Sequence, residues 1–368
     1  MNLFLSHDSA LEYWRSAGAA KPTRAEARRP KHASLARASE ARFRPRSSFG
    51  ARKPELVRTR ALPNAVPTAE FIASCEPWRF GVREEPLHIL VGQQRARSKS
   101  SRVVSHLMKA QAPSGSFCRV EEGLYVSSPE LCFVQMATRL SLPELIMLGF
   151  ELCGSYALDP LDARRFGRRE PLATAESLAR FAQRAEGIHG RKAAMRAARM
   201  VIDGSASPME TALAMLLSLP RMLGGFGIEK PCLNWRINLS DDARLTAGRS
   251  FLVCDLFWEK AKLDVEYDGR LYHSRPQHVE SDAARRNALG AMGIAVITAT
   301  AAQVHDPARL KSLAADVARR TGGRPFKSDD AWRRRHAELR ARVLDTRPAT
   351  TGPSVAARTR IRTAPRRR

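Results

Sequence analysis

Two neighbouring runs decide how this chain folds: Phe251-Leu-Val-Cys-Asp-Leu-Phe-Trp258 and Leu263-Asp-Val-Glu-Tyr-Asp-Gly269. In both runs apolar side chains recur at every second residue, which is typical of a β-strand with one buried face. The apolar positions are Leu252, Cys254 and Leu256 in the first run and Leu263, Val265 and Tyr267 in the second. Three acids, Asp264, Glu266 and Asp268, then share the opposite face of the second strand. The sequence therefore predicts two strands that carry several carboxylates.

The four residues between the runs, 259–262, are predicted to form a hairpin loop. Pairing across this loop would set Asp255 opposite or diagonal to Glu266, with Cβ atoms about 5 Å apart if directly paired. Carboxylates at that distance repel each other, but a divalent cation between them would stabilise the arrangement. Mg²⁺ is usually held by one or two carboxylates, with waters and phosphate oxygens as further ligands. Two simpler explanations stay open, because Asp268-Gly269 is a common tight-turn dipeptide and an acidic strand face can be solvated.

Further elements surround these strands in a fixed order. A helix is predicted at 207–219, another at about 276–292, and a strand at 294–297. With this order, residues 205 to about 310 resemble the restriction-endonuclease-like PD-(D/E)XK superfamily, and in particular its branch related to the very short patch repair (Vsr) endonuclease. The matching positions are Ser207 and Glu210, Asp255, Val265-Glu-Tyr-Asp-Gly269, His273, Asp282-Ala-Ala-Arg285 with Leu289, and Gly293-Ile-Ala-Val296.

The resemblance implies a mixed sheet flanked by helices and a metal-dependent nuclease site. By that likeness Asp255 and Glu266 would coordinate Mg²⁺ or Mn²⁺, and Glu210 would support the ion directly or through water. The superfamily's usual lysine, two residues after the second acid, is Asp268 here. Asp268 is then either a further ligand or a sign that the site is inactive. His273 is the expected general base or acid, since an imidazole titrates near neutral pH.

Two of these positions have a structural explanation as well. Glu210 lies three residues after Ser207, with Pro208 at the first helical position, which is the pattern of a capping box. Asp282 and Arg285 lie one helical turn apart and can form a surface ion pair. Both explanations stay open beside metal support for Glu210 and nucleic-acid binding for Arg285.

The net charge of the chain points to a polyanionic partner. Its 368 residues carry 62 Lys and Arg against 37 Asp and Glu, a formal charge of +25 at pH 7. Such an excess indicates a nucleic acid, most simply DNA, although Arg- and Ala-rich composition also follows from GC-rich coding. One predicted helix (191–202) carries a basic group that could contact phosphates. Its members are Arg191, Lys192, Arg196 and Arg199.

Cysteine spacing and hydropathy predict a cytoplasmic protein. The six cysteines include no Cys-x-x-Cys pair, which disfavours a zinc ribbon or a disulfide framework and suits a reducing compartment. The first seven residues turn polar too soon for a signal peptide, and the apolar stretch 142–154 is too short and too acidic to span a bilayer. We therefore expect no membrane anchor.

The pattern along the chain predicts an α+β protein built from several segments. We expect an N-terminal helix (1–18, the helix itself at 3–16), a basic disordered linker (19–64), an α/β accessory domain (65–160), a helical connector (161–204), the nuclease-like domain (205–322) and a basic tail (323–368). The accessory region contains Val126-Ser-Ser-Pro-Glu130 before an apolar helix, which resembles AbiEi-type antitoxins. An ordinary α/β domain is the alternative, and the sequence names no partner from a neighbouring gene.

These patterns favour Mg²⁺-dependent hydrolysis of DNA phosphodiester bonds by the C-terminal domain. The main alternative is a DNA-binding regulator or antitoxin-like protein that keeps the nuclease fold only as a scaffold, and the third is a nuclease acting on RNA. Asp255, Glu266 and His273 favour the enzyme, because a decayed site would be expected to lose one of them.

Overall fold

The structure is a computed structural model that describes residues 1–17, 55–57, 62–83, 85–159, 166–269, 276–323 and 328–344. Its strands are β1 (Leu3–Leu5), β2 (Glu55–Val57), β3 (Leu87–Val91), β4 (Val103–Leu107), β5 (Phe117–Glu121), β6 (Leu124–Ser127), β7 (Tyr156–Leu158), β8 (Phe166–Arg168), β9 (Cys232–Asn238), β10 (Phe251–Trp258), β11 (Leu263–Asp268) and β12 (Ala295–Thr300). Its helices are α1 (His7–Ala17), α2 (Ala69–Ser74), α3 (Pro129–Met136), α4 (Leu142–Cys153), α5 (Ala175–Arg184), α6 (Arg191–Ala198), α7 (Pro208–Ser218), α8 (Asp241–Ala247), α9 (Pro276–Ala291), α10 (Ala301–His305), α11 (Pro307–Arg320) and α12 (Asp330–Val343). The predicted α+β class is confirmed.

Six strands form the first sheet, in the order β2-β5-β6-β1-β3-β4. Strand β1 is parallel to β6 and antiparallel to β3, and helix α1 packs against α3 and β3. The helix predicted over residues 3–16 is therefore wrong at its start, because Leu3, Phe4 and Leu5 form an inner strand of this sheet. All three side chains are almost completely buried, as consecutive residues of a strand covered on both faces must be. The helix begins only at His7.

Two segments that we expected to lack regular structure contain regular elements. Strand β2 lies inside the predicted linker 19–64 and pairs with β5, while residues 18–54 and 58–61 lie outside the described part of the chain. Helix α12 lies inside the predicted tail. The indole nitrogen of its Trp332 donates a hydrogen bond to the carbonyl oxygen of Gly225 (3.0 Å), and the indole stacks on His336 with ring centroids 4.4 Å apart. Helix α12 also contacts α4 and α7, so it is packed onto the domain.

The four-stranded sheet, in the order β12-β11-β10-β9, carries the candidate site. Strands β9, β10 and β11 are antiparallel neighbours, and the hairpin loop 259–262 lies where the sequence predicts it. Helix α9 lies between β11 and the parallel strand β12 in the chain, and α7 packs against β10 and β11. Strand β9 and helix α8 have no counterpart among the predicted elements. The result is a mixed sheet with helices packed against it.

The regular alternation of strand β10 is interrupted at Asp255. Leu256 belongs to the large core to which α7 contributes, whereas Cys254 packs in a smaller core with Leu289 of α9. Residues two apart in a regular strand would face the same side of the sheet. Asp255 therefore lies where the strand passes from one core to the other.

None of the described helices is long and apolar enough to cross a membrane. All six cysteines are free thiols. Burial raises the pKa of the Cys118 thiol to about 12, so this group stays protonated at neutral pH.

Candidate active site

Strand β10 places Asp255 between β9 and β11. Its Oδ2 accepts a hydrogen bond from the backbone N–H of Tyr267 (3.0 Å). Burial, with further contributions from the carboxylates of Glu210 and Glu266, raises the pKa of Asp255 to about 7. A carboxyl group perturbed in this way by burial and by neighbouring acids is typical of functional sites, although structural ion networks produce it too. Glu210, Asp255 and Glu266 thus lie close enough for their charges to interact.

Helix α7 holds Glu210 in its first turn through three donors. Its Oε2 accepts from the backbone N–H of Ala206 (2.9 Å) and from the side-chain amide of Asn234 (2.6 Å), and its Oε1 accepts from the hydroxyl of Ser207 (2.9 Å). Ser207 in turn caps the helix, since its Oγ accepts the N–H of Glu210 (3.2 Å). The capping contact expected from the sequence is present, and it fixes the orientation of the carboxylate.

Asn234 on β9 is a site residue that sequence reasoning missed. It lies opposite Asp255 in the register of β9 and β10, and its backbone φ of +48° lies in the left-handed region. The side chain donates to the carbonyl oxygen of Gly204 (3.0 Å) as well as to Glu210. Non-glycine residues held in this conformation concentrate at functional sites. A signal for the strand itself is the period-two series Leu233, Trp235 and Ile237.

Arg285 of helix α9 points into the sheet and pairs with Glu266. Its guanidinium donates to a carboxylate oxygen of Glu266 and to the carbonyl oxygen of Val253. A guanidinium nitrogen also lies 3.9 Å from a carboxylate oxygen of Asp264. This position differs from the phosphate contact expected from the sequence. Arg285 is an internal counter-ion of the carboxylates on β11.

Asp264 is the second site residue to which sequence reasoning assigned no role. Its side chain is completely buried, and neither of its oxygens has a hydrogen-bond partner among the described residues. Burial, with a further contribution from Glu266, raises the pKa of Asp264 to about 8. The sequence placed Asp264 on the acidic face of its strand, but an acidic face is usually solvated, so its burial was not predictable from the pattern.

The two remaining predicted catalytic residues follow Glu266 in the chain. Asp268 is the last residue of β11 and lies opposite Thr300 of β12 in the register. His273 lies outside the described residues.

The basic group on helix α6 divides into exposed and structural side chains. Lys192, Arg196 and Arg199 are exposed. The guanidinium of Arg191 instead donates to the carbonyl oxygens of Ala182 (3.2 Å) and Gln183 (2.8 Å), which lie at the end of α5. Such contacts satisfy carbonyl groups that a helix leaves without partners. Three of the four predicted basic residues are therefore open to a phosphate backbone.

A second polar cluster lies where β1 leads into α1, and the spacing of its residues along the chain does not indicate it. The histidine cluster consists of His7, His88 and His106. The rings of His7 and His106 stack with centroids 3.5 Å apart, and His88 Nδ1 lies 2.9 Å from His106 Nε2. An oxygen of Asp8 lies 3.4 Å from His88 and 2.8 Å from Arg139. Burial lowers the pKa of His7 well below its usual value and that of His106 to about 3, so both imidazoles are neutral at pH 7.

Within the described residues, no group of three or more His, Cys, Asp or Glu side chains is arranged to hold a metal ion. No protein-family model, no curated protein and no solved structure shows a significant match to the chain. The chemistry of the site must therefore be argued from its own residues.

Proposed function

We propose that this chain is a metal-dependent endonuclease that hydrolyses DNA phosphodiester bonds at a site built on Asp255 and Glu266. The observation that carries the proposal is the proximity of Glu210, Asp255 and Glu266, whose charges raise the pKa of Asp255 to about 7 together with burial. The order of helix α7, three antiparallel strands, helix α9 and a parallel strand supports the proposed restriction-endonuclease-like core.

The donor set suits Mg²⁺ or Mn²⁺ in its chemistry. Hard cations prefer carboxylate oxygens, and Mg²⁺ takes only one or two of them from the protein. Asp255 and Glu266 would hold the ion, and Glu210 would support it. When bound, the ion supplies a Lewis acid for the phosphodiester and lowers the pKa of a water molecule. Since Arg285 pairs with Glu266, binding of the ion requires that Arg285 exchange its partner.

The chain's own residues keep the carboxylates in fixed orientations. The backbone N–H of Tyr267 holds Asp255, and the side-chain amide of Asn234 holds Glu210. These are positioning residues, because each acts through a carboxylate. The raised pKa of Asp255 indicates negative charge that burial leaves poorly solvated, which favours a cation there. His273 remains the proposed proton donor or acceptor on the basis of its place in the sequence motif.

The charge of the chain supports a nucleic acid as the substrate. The formal net charge of +25 favours a polyanion, and Lys192, Arg196 and Arg199 are exposed on one helix. The free thiols support the proposed cytoplasmic location, where disulfides are rare.

Cleavage of supercoiled plasmid tests the proposal. With Mg²⁺ or Mn²⁺ the wild type should produce nicked or linear DNA, and EDTA should abolish the reaction. Glu266→Gln should lose cleavage, whereas Glu259→Gln, on the exposed hairpin loop, is the matched control and should cut like the wild type. Single-stranded RNA offered in parallel separates an RNA nuclease from a DNA nuclease. The proposal is refuted if neither nucleic acid is cut and neither ion binds.

A DNA-binding regulator is the second candidate, and one observation favours it. Arg285 already neutralises Glu266, as it would in a nuclease fold kept only as a scaffold. A regulator would give a salt-sensitive mobility shift on one promoter that Asp255→Ala leaves unchanged, without any cleavage.

A further inference from the structure

Arg285 lies between two carboxylates of strand β11. It pairs closely with Glu266, and it lies 3.9 Å from Asp264, a distance at the outer limit of an ion pair. The same guanidinium donates to the carbonyl oxygen of Val253 on β10. Arg285 is thus held in place by a neutral acceptor while two acids compete for its charge.

Asp264 is unusual among the buried acids of this chain. Glu151 is equally buried, but its carboxylate accepts hydrogen bonds from Arg15 (2.7 and 2.9 Å) and from the backbone N–H of Leu158 (3.1 Å). Asp264 has no hydrogen bond to either oxygen within the described residues. A buried carboxylate without hydrogen bonds is costly, so a fold that keeps one is expected to use it in another state.

We propose that Asp264 is a positioning residue that receives the guanidinium of Arg285 when Glu266 binds a divalent cation. This inference rests on the proposed metal-dependent function. In the metal-free state Arg285 neutralises Glu266, and Asp264 lacks a close partner. When Glu266 binds a cation, Arg285 moves towards Asp264 and keeps its hydrogen bond to the Val253 carbonyl. Each carboxylate then has a positive partner in the metal-bound state.

Charge balance explains why the second carboxylate is needed. A cation bound by Glu266 repels a guanidinium that stays beside it, and this repulsion weakens metal binding. Asp264 removes the penalty because it stabilises Arg285 in the displaced position. Without Asp264, Arg285 would compete with the metal for Glu266.

Calorimetric titration of Mn²⁺ into the full-length protein tests this role without relying on cleavage. Asp264→Asn keeps the shape of the side chain and removes its charge, and we expect the dissociation constant for Mn²⁺ to rise about tenfold, since coupling within such a network is commonly about 0.5–3 kcal/mol. Glu259→Gln also removes one negative charge, but from an exposed loop position, and should bind Mn²⁺ like the wild type.

A second pair of variants shows whether Asp264 acts through Arg285. Arg285→Gln removes the competitor, so adding Asp264→Asn to it should leave the Mn²⁺ dissociation constant unchanged. If Asp264→Asn binds Mn²⁺ as tightly as the wild type, or weakens binding equally in the Arg285→Gln background, the inference is overturned while the proposed function survives. If the wild type itself binds no Mn²⁺, both fail.

Discussion

At the scale of single residues, Asn234 shows how this site is organised. It combines a left-handed backbone with hydrogen bonds to Glu210 and to the Gly204 carbonyl oxygen. Asparagine tolerates this conformation better than most residues, and its amide supplies the donor that a glycine would lack. The residue therefore satisfies a backbone requirement and a side-chain requirement at once.

Two substitutions at Asn234 separate these requirements. Asn234→Gly keeps the backbone conformation but loses both side-chain hydrogen bonds, so it should lower the free energy of unfolding by about 1–2 kcal/mol. Asn234→Ala loses the same bonds and adds backbone strain of about 1 kcal/mol, so it should be the less stable variant. Urea denaturation measures both. A more stable alanine variant would show that the left-handed conformation is not maintained.

At the scale of elements, periodicity predicts strands β10 and β11 and their loop because each strand has one apolar and one polar face. Strand β1 escapes the same reasoning, since three consecutive apolar residues have no period of two. Chain order, through the nuclease resemblance, selected Asp255 and Glu266. The partner of Glu266 was not predictable, because the position of Arg285 depends on how helix α9 packs on the sheet.

Helix α12 gives an element-scale prediction. Trp332 is buried, bonded to the Gly225 carbonyl oxygen and stacked on His336. Trp332→Ala should therefore lower the free energy of unfolding by about 3–5 kcal/mol. Arg334→Ala, on the exposed side of the same helix, should change it by less than about 0.5 kcal/mol. Chemical denaturation of both variants checks this, and equal effects would show that α12 does not pack as described.

The histidine cluster predicts acid sensitivity of the six-stranded sheet. The folded pKa of His106, about 3, lies below the ordinary value near 6.5, so the unfolded chain binds the proton first as the pH falls. The stability contributed by neutral His106 is complete above about pH 6.5 and is lost as the pH falls towards 3, by at most about 1.4 kcal/mol per pH unit.

Thermal melts between pH 7 and 4 measure this effect. His106→Gln cannot take up the proton, so its melting temperature should fall less steeply with decreasing pH than that of the wild type. His189→Gln, at an exposed position, is the control and should follow the wild type. Identical slopes in all three proteins would contradict the assignment of His106 as a buried neutral group.

At the scale of the whole molecule, the positive charge should govern affinity for DNA. Each bound phosphate releases counterions, so the logarithm of the binding constant should fall linearly with the logarithm of the salt concentration. Replacing Lys192, Arg196 and Arg199 together by alanine should reduce this slope by about 1 for each phosphate that the variant no longer binds. Arg191→Ala, which removes a helix-capping side chain, should lower stability and leave the slope unchanged. Fluorescence anisotropy with labelled duplex across a salt series gives both slopes.

The proposed nuclease activity depends on one carboxylate more than on any other residue. The most direct measurement compares the rate of plasmid nicking by the wild type and by Asp255→Asn in the same Mn²⁺ concentration. We predict a loss of at least about a hundredfold in the variant, the size of effect expected when a group that stabilises the transition state is removed. Equal nicking by the two proteins, or none by the wild type, would contradict the account.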